Sequence, residues 1–402
     1  MKGVLVILDG IGDSALNNKT PLESAKTPNL DFLASKSKID YCYTVKKDYA
    51  PESNEGVLSL LGYDSFGIKR GTLEALGVGI NVKNGDLAFR CNFATIDNLK
   101  DLRVIDRRAG RTLTTKEAKI LASSINKELK LPFPFVFVPG IQHRAALVIK
   151  GGFSDNITSA EPKNNKLIFS SPLDDEDDSK LSSNLVNLFV RKSFEILNAH
   201  PINKIRLKKG LFPANVLLCR GAGSEKPKLK KLKGKWLALG YMPLEKGIAK
   251  ALGMHLYTFK YPKLKNMDVY ENLYAGLKKA IKKAIKMLKR NRKKYDYFYI
   301  HFKECDIPGH DNKPLDKIKM IEMIDQRFFS FLRKFIKGSK LVITADHATP
   351  CKIKAHSADP VPVLTYPSKN KKEQRFTETQ ALQGKKFTGH NLLKNTLYKK
   401  DS

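Results

Sequence analysis

Residues 3 to 8 read GVLVIL, an unbroken apolar run rich in β-branched side chains, and the run ends in Asp9. A strand wetted on one face alternates apolar with polar residues. A continuous run instead belongs to a strand covered on both faces, which calls for helices on either side of a largely parallel sheet. Leu341-Val342-Ile343 is a second apolar run and leads to Asp346-His347; residues 295 to 302, YDYFYIHF, form a third strand and lead to Asp306. Carboxylates and imidazoles at the C-terminal ends of strands stand where open α/β sheets usually place their sites.

Each stretch has a plain reading and a chemical one. Asp9-Gly10-Ile11-Gly12 can open a turn, or its carboxylate can be a cation ligand freed by permissive glycines. Asp306 and His310 bracket a Pro-Gly turn from which both side chains can converge on one cation. His356 follows His347 by nine residues within His356-Ser357-Ala358. Hard oxygen beside borderline nitrogen suits Mn²⁺ or Zn²⁺ better than Ca²⁺. Ser53 follows the Pro51 loop and precedes the helical pattern of Gly56-Val57-Leu58. A hydroxyl there caps the helix or serves as a nucleophile whose phosphoryl group meets free N–H groups. The residues leave both open.

Past Lys69 the pattern changes to short strands at 87–96, 135–138, 144–151 and 215–223, with one amphipathic helix at 180–199 introduced by the acidic run Asp174 to Asp178. Three turns here carry arginine: Arg107, Arg108 and Arg111; His143-Arg144; and Arg220. Guanidinium forks match phosphate and carboxylate oxygens, so the three turns together suggest a small polyanion. The Lys-rich segment 227–236 closes this region. A strand, a turn at Pro243 and a helix follow, with Lys246 in the first helical turn, where the dipole does not favour a cation; it is a candidate phosphate contact. Long amphipathic helices are expected at 268–290 and 320–337, and a short one at 27–36.

Composition narrows the classes. With 402 residues, two domains are the natural expectation. The formal net charge of +33 admits nucleic acid or a membrane surface as partners. The lysines, however, are spread along the chain with no RNA-binding aromatic platform or helix-turn-helix, so solvated faces explain them better. The five cysteines are scattered without CxxC spacing, which argues against a disulfide framework or structural zinc and for a reducing compartment. There is no signal-peptide pattern and no apolar run long enough to span a bilayer, so a cytoplasmic protein is expected.

MKGVLVILDGIGD, SNEGVLSLLGYD, DRRAGR, LLCRGAG, HFKECDIPGHDNKP and ADHATPCKIKAHSADPVP together resemble, nearly end to end, the archaeal type of cofactor-independent phosphoglycerate mutase, within the alkaline phosphatase superfamily. The resemblance implies an α/β fold: an alkaline-phosphatase-like, mostly parallel sheet flanked by helices (residues 1–68 and 233–402) with a smaller inserted α+β domain (69–232). It implies two divalent cations, Mn²⁺ first, with Zn²⁺, Co²⁺ or Mg²⁺ as alternatives. Asp9, Ser53, Asp346 and His347 would gather around one, and Asp306, His310 and His356 around the other. Ser53 would take the phosphoryl group of 3-phosphoglycerate and return it to give 2-phosphoglycerate. Arg107, Arg108, Arg111, His143, Arg144 and Arg220 would hold the glycerate, and Lys246 would neutralise phosphate.

The chain departs from the family pattern at Glu52-Ser53-Asn54, at Val57 and at Glu161-Pro162-Lys163. Two other readings follow: a phosphatase of the same superfamily, in which water discharges the phosphoserine, and a basic nucleic-acid-binding protein on an inactive scaffold. Retention of every proposed ligand speaks against the last.

Overall fold

The computed structural model describes residues 1–14, 19–263, 268–368 and 373–399. An eight-stranded sheet runs in the order His255–Thr258, Trp236–Gly240, Tyr297–Phe302, Gly3–Leu8, Lys340–Thr344, Val361–Tyr366, Lys38–Tyr43 and Lys386–Thr388. Every strand but Val361–Tyr366 runs the same way. Gly3–Leu8 lies in the middle, hydrogen-bonded to Tyr297–Phe302 and to Lys340–Thr344, and all its residues are buried. That double coverage is why its sequence has no alternation. The sheet is thus mostly parallel with one antiparallel strand, as in an α/β protein.

A second, five-stranded antiparallel sheet is built wholly from residues 87 to 223. Leu87–Ile96 pairs with Arg144–Ile149, Val216–Gly223 and Val104–Asp106, and Phe135–Pro139 extends it beyond Arg144–Ile149. Each sheet has its own apolar core: one around Val4, Leu5, Phe298 and Val342, the other around Phe89, Phe93, Leu147 and Phe189. The Arg70–Val78 helix links them, packing on the Pro243–Ala251 helix of the first and under the second sheet through Ala75, Ala88 and Ala146. A Cβ at Gly77 would collide with Pro243 O, and one at Gly247 with Leu73 O, so these helices touch backbone to backbone.

Several expected elements differ in detail. Residues 306–310 form a short helix, Asp306–His310, rather than a loop. Pro308 is tolerated because the N–H groups of a first turn have no helical acceptor to lose. The helix expected at 320–337 begins earlier, at Pro314–Ile324, and passes through a π segment, Asp325–Phe329, before Ser330–Phe335. Between 70 and 232 there is more helix than the single expected segment. Thr115–Glu128 is capped by Thr114, whose side chain accepts the Glu117 N–H while Glu117 reaches back to the Thr114 N–H. Pro201–Lys208 is a further one.

Candidate active site

The C-terminal ends of three adjacent strands bring the acidic residues and histidines together. Asp9 leaves Gly3–Leu8 with its N–H on Phe302 O, 3.0 Å away. Gly10 turns with φ +58°, and a Cβ there would strike Asp306 Oδ1 and Thr349 Oγ1. Asp346 and His347 follow Lys340–Thr344, both buried, and Asp306 follows Tyr297–Phe302. Gly56 allows the Ser53–Leu60 helix to rest on Asp346 O, where any side chain would clash.

Ser53 is the first residue of that helix and not its cap. Glu52 stands at the cap position, with its N–H 2.8 Å from Glu55 Oε2. The Ser53 hydroxyl instead lies 3.2 Å from His347 Nε2. That nitrogen is 3.4 Å from Asp9 Oδ1 and 3.5 Å from Asp346 Oδ2. Asp306 Oδ2 is 3.3 Å from His310 Nε2, and Asp306 Oδ1 is 4.0 Å from His356 Nε2. The ligand-bearing atoms of Asp9, Asp346 and His347 form one tight group, and those of Asp306, His347 and His356 another. His347 reaches both groups, and its ring stacks on His356 with centroids 3.7 Å apart.

The donor set fits divalent cations. Asp9 Oδ1 and Asp346 Oδ2 are buried without a hydrogen-bond donor, an expensive arrangement for carboxylates with nothing to bind. The three histidines also turn the same nitrogen inward. His310 Nδ1 faces Lys354 O at 3.0 Å and His356 Nδ1 faces Pro51 O at 2.8 Å, so both must carry a proton there to donate to a carbonyl. Nε2 is left to meet a metal, as ligating histidines require. Burial, opposed by the Asp346 charge, lowers the pKa of His347 to about 4 and keeps it neutral.

A cavity of about 540 Å³ opens over this floor. Ser53, Asp306, His310 and His356 line one side; Arg107, Arg108, Arg111, His143, Arg144 and Arg220, from the second sheet and its loops, line the other. Burial, reinforced by Arg111 and Arg144, lowers the pKa of Arg108 to about 10, as expected for like charges gathered to receive an anion. Some of these arginines already have partners: Arg107 donates to Pro162 O at 2.9 Å, and Arg220 lies 3.7 Å from Glu161.

Lys246 is absent from the cavity wall. It sits on the Pro243–Ala251 helix next to Glu245, and adjacent helical residues face directions about 100° apart; Glu245 takes the inward one. Two lysines do line the cavity, Lys354 and Lys303, the latter just past the end of Tyr297–Phe302. The Lys303 ammonium contacts Asp9 Oδ2 and lies 3.2 Å from Glu245 Oε1. Burial lowers its pKa, against the pull of Asp346 and Asp306. Arg70 and Arg90 also line the cavity, with Glu52 2.7 Å from the first and 3.6 Å from the second. Burial would raise the Glu52 carboxyl, but these two cations hold it at about 2. The buried His301, with Nε2 3.2 Å from Asp9 Oδ2, completes the surroundings. His301 and Lys303 lie within HFKECD, and the one sequence signal for either is its closeness to Asp306.

Comparison with known proteins gives an end-to-end likeness. The family described as 2,3-bisphosphoglycerate-independent phosphoglycerate mutase matches residues 34–203, and the alkaline phosphatase family matches residues 259–400. The chain is 38% identical over 381 residues to the 2,3-bisphosphoglycerate-independent phosphoglycerate mutase of Thermococcus kodakarensis, covering 90% of this chain and 87% of that one. It is 37% identical over 413 residues to that of Pyrococcus abyssi, covering 98% and 96%. Among solved structures, the PH0037 protein from Pyrococcus horikoshii superposes with a TM-score of 0.75 at 30% identity, covering 100% of this chain and 98% of that one. The cofactor-independent phosphoglycerate mutase from Thermoplasma acidophilum gives 0.58 at 28% identity, covering 99% of each.

Proposed function

The chain belongs to the 2,3-bisphosphoglycerate-independent phosphoglycerate mutases, which are isomerases, and from that premise we propose that it interconverts 3-phosphoglycerate and 2-phosphoglycerate through a phosphoserine at Ser53. The observation that carries this reading is the Ser53 hydroxyl, 3.2 Å from His347 Nε2 at a helix N-terminus, facing arginines across the cavity.

In this reading residues 69–232 are an inserted substrate-binding domain placed over the strand ends of a phosphatase-like domain, residues 1–68 and 233–402. Asp9, Ser53, Asp346 and His347 would hold one divalent cation, and Asp306, His310 and His356 the other. The donor set accepts Mn²⁺, Zn²⁺, Co²⁺ or Mg²⁺. Such cations supply a lowered pKa for the Ser53 hydroxyl and charge neutralisation at the phosphoryl oxygens.

The protein's own groups do the rest. The Ser53 oxygen gives up its proton and attacks phosphorus; the bond from phosphorus to the glycerate 3-oxygen breaks, and that oxygen takes up one proton in turn and leaves as the alcohol. Arg107, Arg108, Arg111, Arg144 and Arg220, with His143, hold the glycerate carboxylate and limit its reorientation. The glycerate 2-hydroxyl then takes the phosphoryl group back from Ser53, losing its proton as the serine regains one. Lys303, rather than Lys246, stands where a cation can meet the phosphoryl group. Enclosure by the second sheet keeps water from the phosphoserine.

Incubation with 3-phosphoglycerate and a divalent metal, without added 2,3-bisphosphoglycerate, tests this. The expected product is 2-phosphoglycerate; mostly free phosphate would identify a phosphatase instead. S53A should lose roughly three orders of magnitude or more in kcat, and full activity in S53A would remove the phosphoserine step.

A further inference from the structure

Thr349 is fully buried and lies between the two candidate metal groups. Its hydroxyl is 2.7 Å from Asp306 Oδ1 and 3.0 Å from His347 Nδ1. A hydroxyl has one proton to donate. The short contact to Asp306 Oδ1 is the one that takes it, since a carboxylate oxygen accepts, so the proton of Thr349 points to Asp306. The remaining contact is satisfied only if His347 Nδ1 carries a proton and donates it to Thr349 Oγ1. A neutral imidazole with its proton on Nδ1 has its lone pair on Nε2, the nitrogen that faces Ser53, Asp9 and Asp346.

We propose that Thr349 is a positioning residue that sets the His347 tautomer and ties the two metal groups into one unit, its hydroxyl joining Asp306 of one to His347, which serves both. The proposal rests on the two-cation reading above. Thr349 itself is held from its backbone. Its N–H donates to Gly12 O at 2.9 Å, and the buried Lys317 ammonium bonds its carbonyl at 3.0 Å, together with Gly12 O at 3.2 Å and Asp13 Oδ2 at 2.7 Å. Gly10 and Gly309 close around it: a Cβ on Gly10 would meet Thr349 Oγ1, and one on Gly309 would meet Thr349 Cγ2 and the Thr349 carbonyl. The hydroxyl therefore has little room to turn away from either partner.

The test compares wild type, T349V and T349S as metal-free protein, by ¹⁵N chemical shifts of the His347 ring and by calorimetric titration with Mn²⁺. In wild type and T349S the ring should carry its proton on Nδ1, and two Mn²⁺ should bind. In T349V the Nδ1–H signature should be lost, and both Mn²⁺ affinities should fall by about 10- to 100-fold, the usual effect of removing such a partner. If T349V does not fold, T349A takes its place. An unchanged tautomer and unchanged Mn²⁺ binding in the folded variant would overturn the role given to Thr349. Failure of wild type to bind two Mn²⁺ would instead overturn the two-cation reading, with the tautomer measurement still deciding for or against Thr349.

Discussion

Arg111 and Asp311 meet in a two-point ion pair, Nη1 to Oδ2 at 2.5 Å and Nη2 to Oδ1 at 2.8 Å. Arg111 comes from the second sheet's loop region and Asp311 follows directly on the candidate ligand His310, so the pair pins the cavity's roof to its floor. The hydroxyl of Tyr270 donates to the same carboxylate at 2.9 Å.

Loosening that pair should admit water. With D311N, free phosphate released from 3-phosphoglycerate is expected to rise several-fold relative to 2-phosphoglycerate formed, as closure weakens. A coupled phosphate-release assay beside a mutase assay reads the ratio, and an unchanged ratio would show that the pair does not govern closure.

Arg206 should matter without touching substrate. It is buried on the Pro201–Lys208 helix and bonds Ala109 O, Thr112 Oγ1, Thr112 O and Glu117. It thus braces the turn that carries Arg107, Arg108 and Arg111, in which Ala109, Gly110 and Arg111 all have positive φ. R206M is expected to lose on the order of 3 kcal/mol of stability, as when a buried charged partner is removed, and to raise KM more than it lowers kcat. Urea denaturation and steady-state kinetics would check both.

Glu52 gives Arg70 and Arg90 an internal anion beside Ser53. E52Q removes it, leaving two cations to attract an external anion. Inorganic phosphate should then raise the melting temperature of E52Q by more than that of wild type, because a tighter ligand stabilises more at equal concentration. Equal phosphate-induced shifts would show that Glu52 does not compete for the arginines.

The pH dependence of stability has a defined contribution from Glu378. Burial raises its folded pKa from 4.5 to about 7, although Thr20 Oγ1 at 2.7 Å and the Asp13 N–H at 3.2 Å both donate to it. Between about 4.5 and 7 the folded protein keeps a proton that the unfolded chain has lost. Its contribution to stability therefore falls as pH rises through that window. E378Q should remove this downward slope from the unfolding free energy measured across the same pH range; an identical slope would assign it to other groups.

What the sequence reveals follows the strength of local signals. Asp9, Asp346 and His347 end buried apolar strands, and an unbroken apolar run that stops at a charge marks where a covered strand reaches a polar site. Lys303 ends such a strand too, yet in a chain with 73 Lys+Arg a lysine carries little information until its surroundings are seen. Lys246 stands out by its helix position, but residue 245 rather than 246 faces the cavity, a rotation that only packing determines. Arg90 lies inside a strand expected for its apolar pattern, and Arg206 is buried by contacts with residues about 90 to 100 positions away in sequence. Nothing local marks Thr349 either. Its importance comes from Asp306, 43 residues distant, reaching the same hydroxyl as His347.

The central place of Gly3–Leu8 in the large sheet has a consequence for synthesis. It leaves the ribosome well before the two strands that cover its edges, which end at Phe302 and Thr344. At ~5–20 residues per second, the wait for both is on the order of tens of seconds. Meanwhile the antiparallel sheet, Leu87 to Gly223, emerges as one continuous stretch with all its pairing partners present. The nascent chain thus completes its cavity roof while this apolar, wholly buried strand is still unpaired at both edges. Co-translational protection is therefore called for at residues 3 to 8, where a chaperone would find GVLVIL exposed.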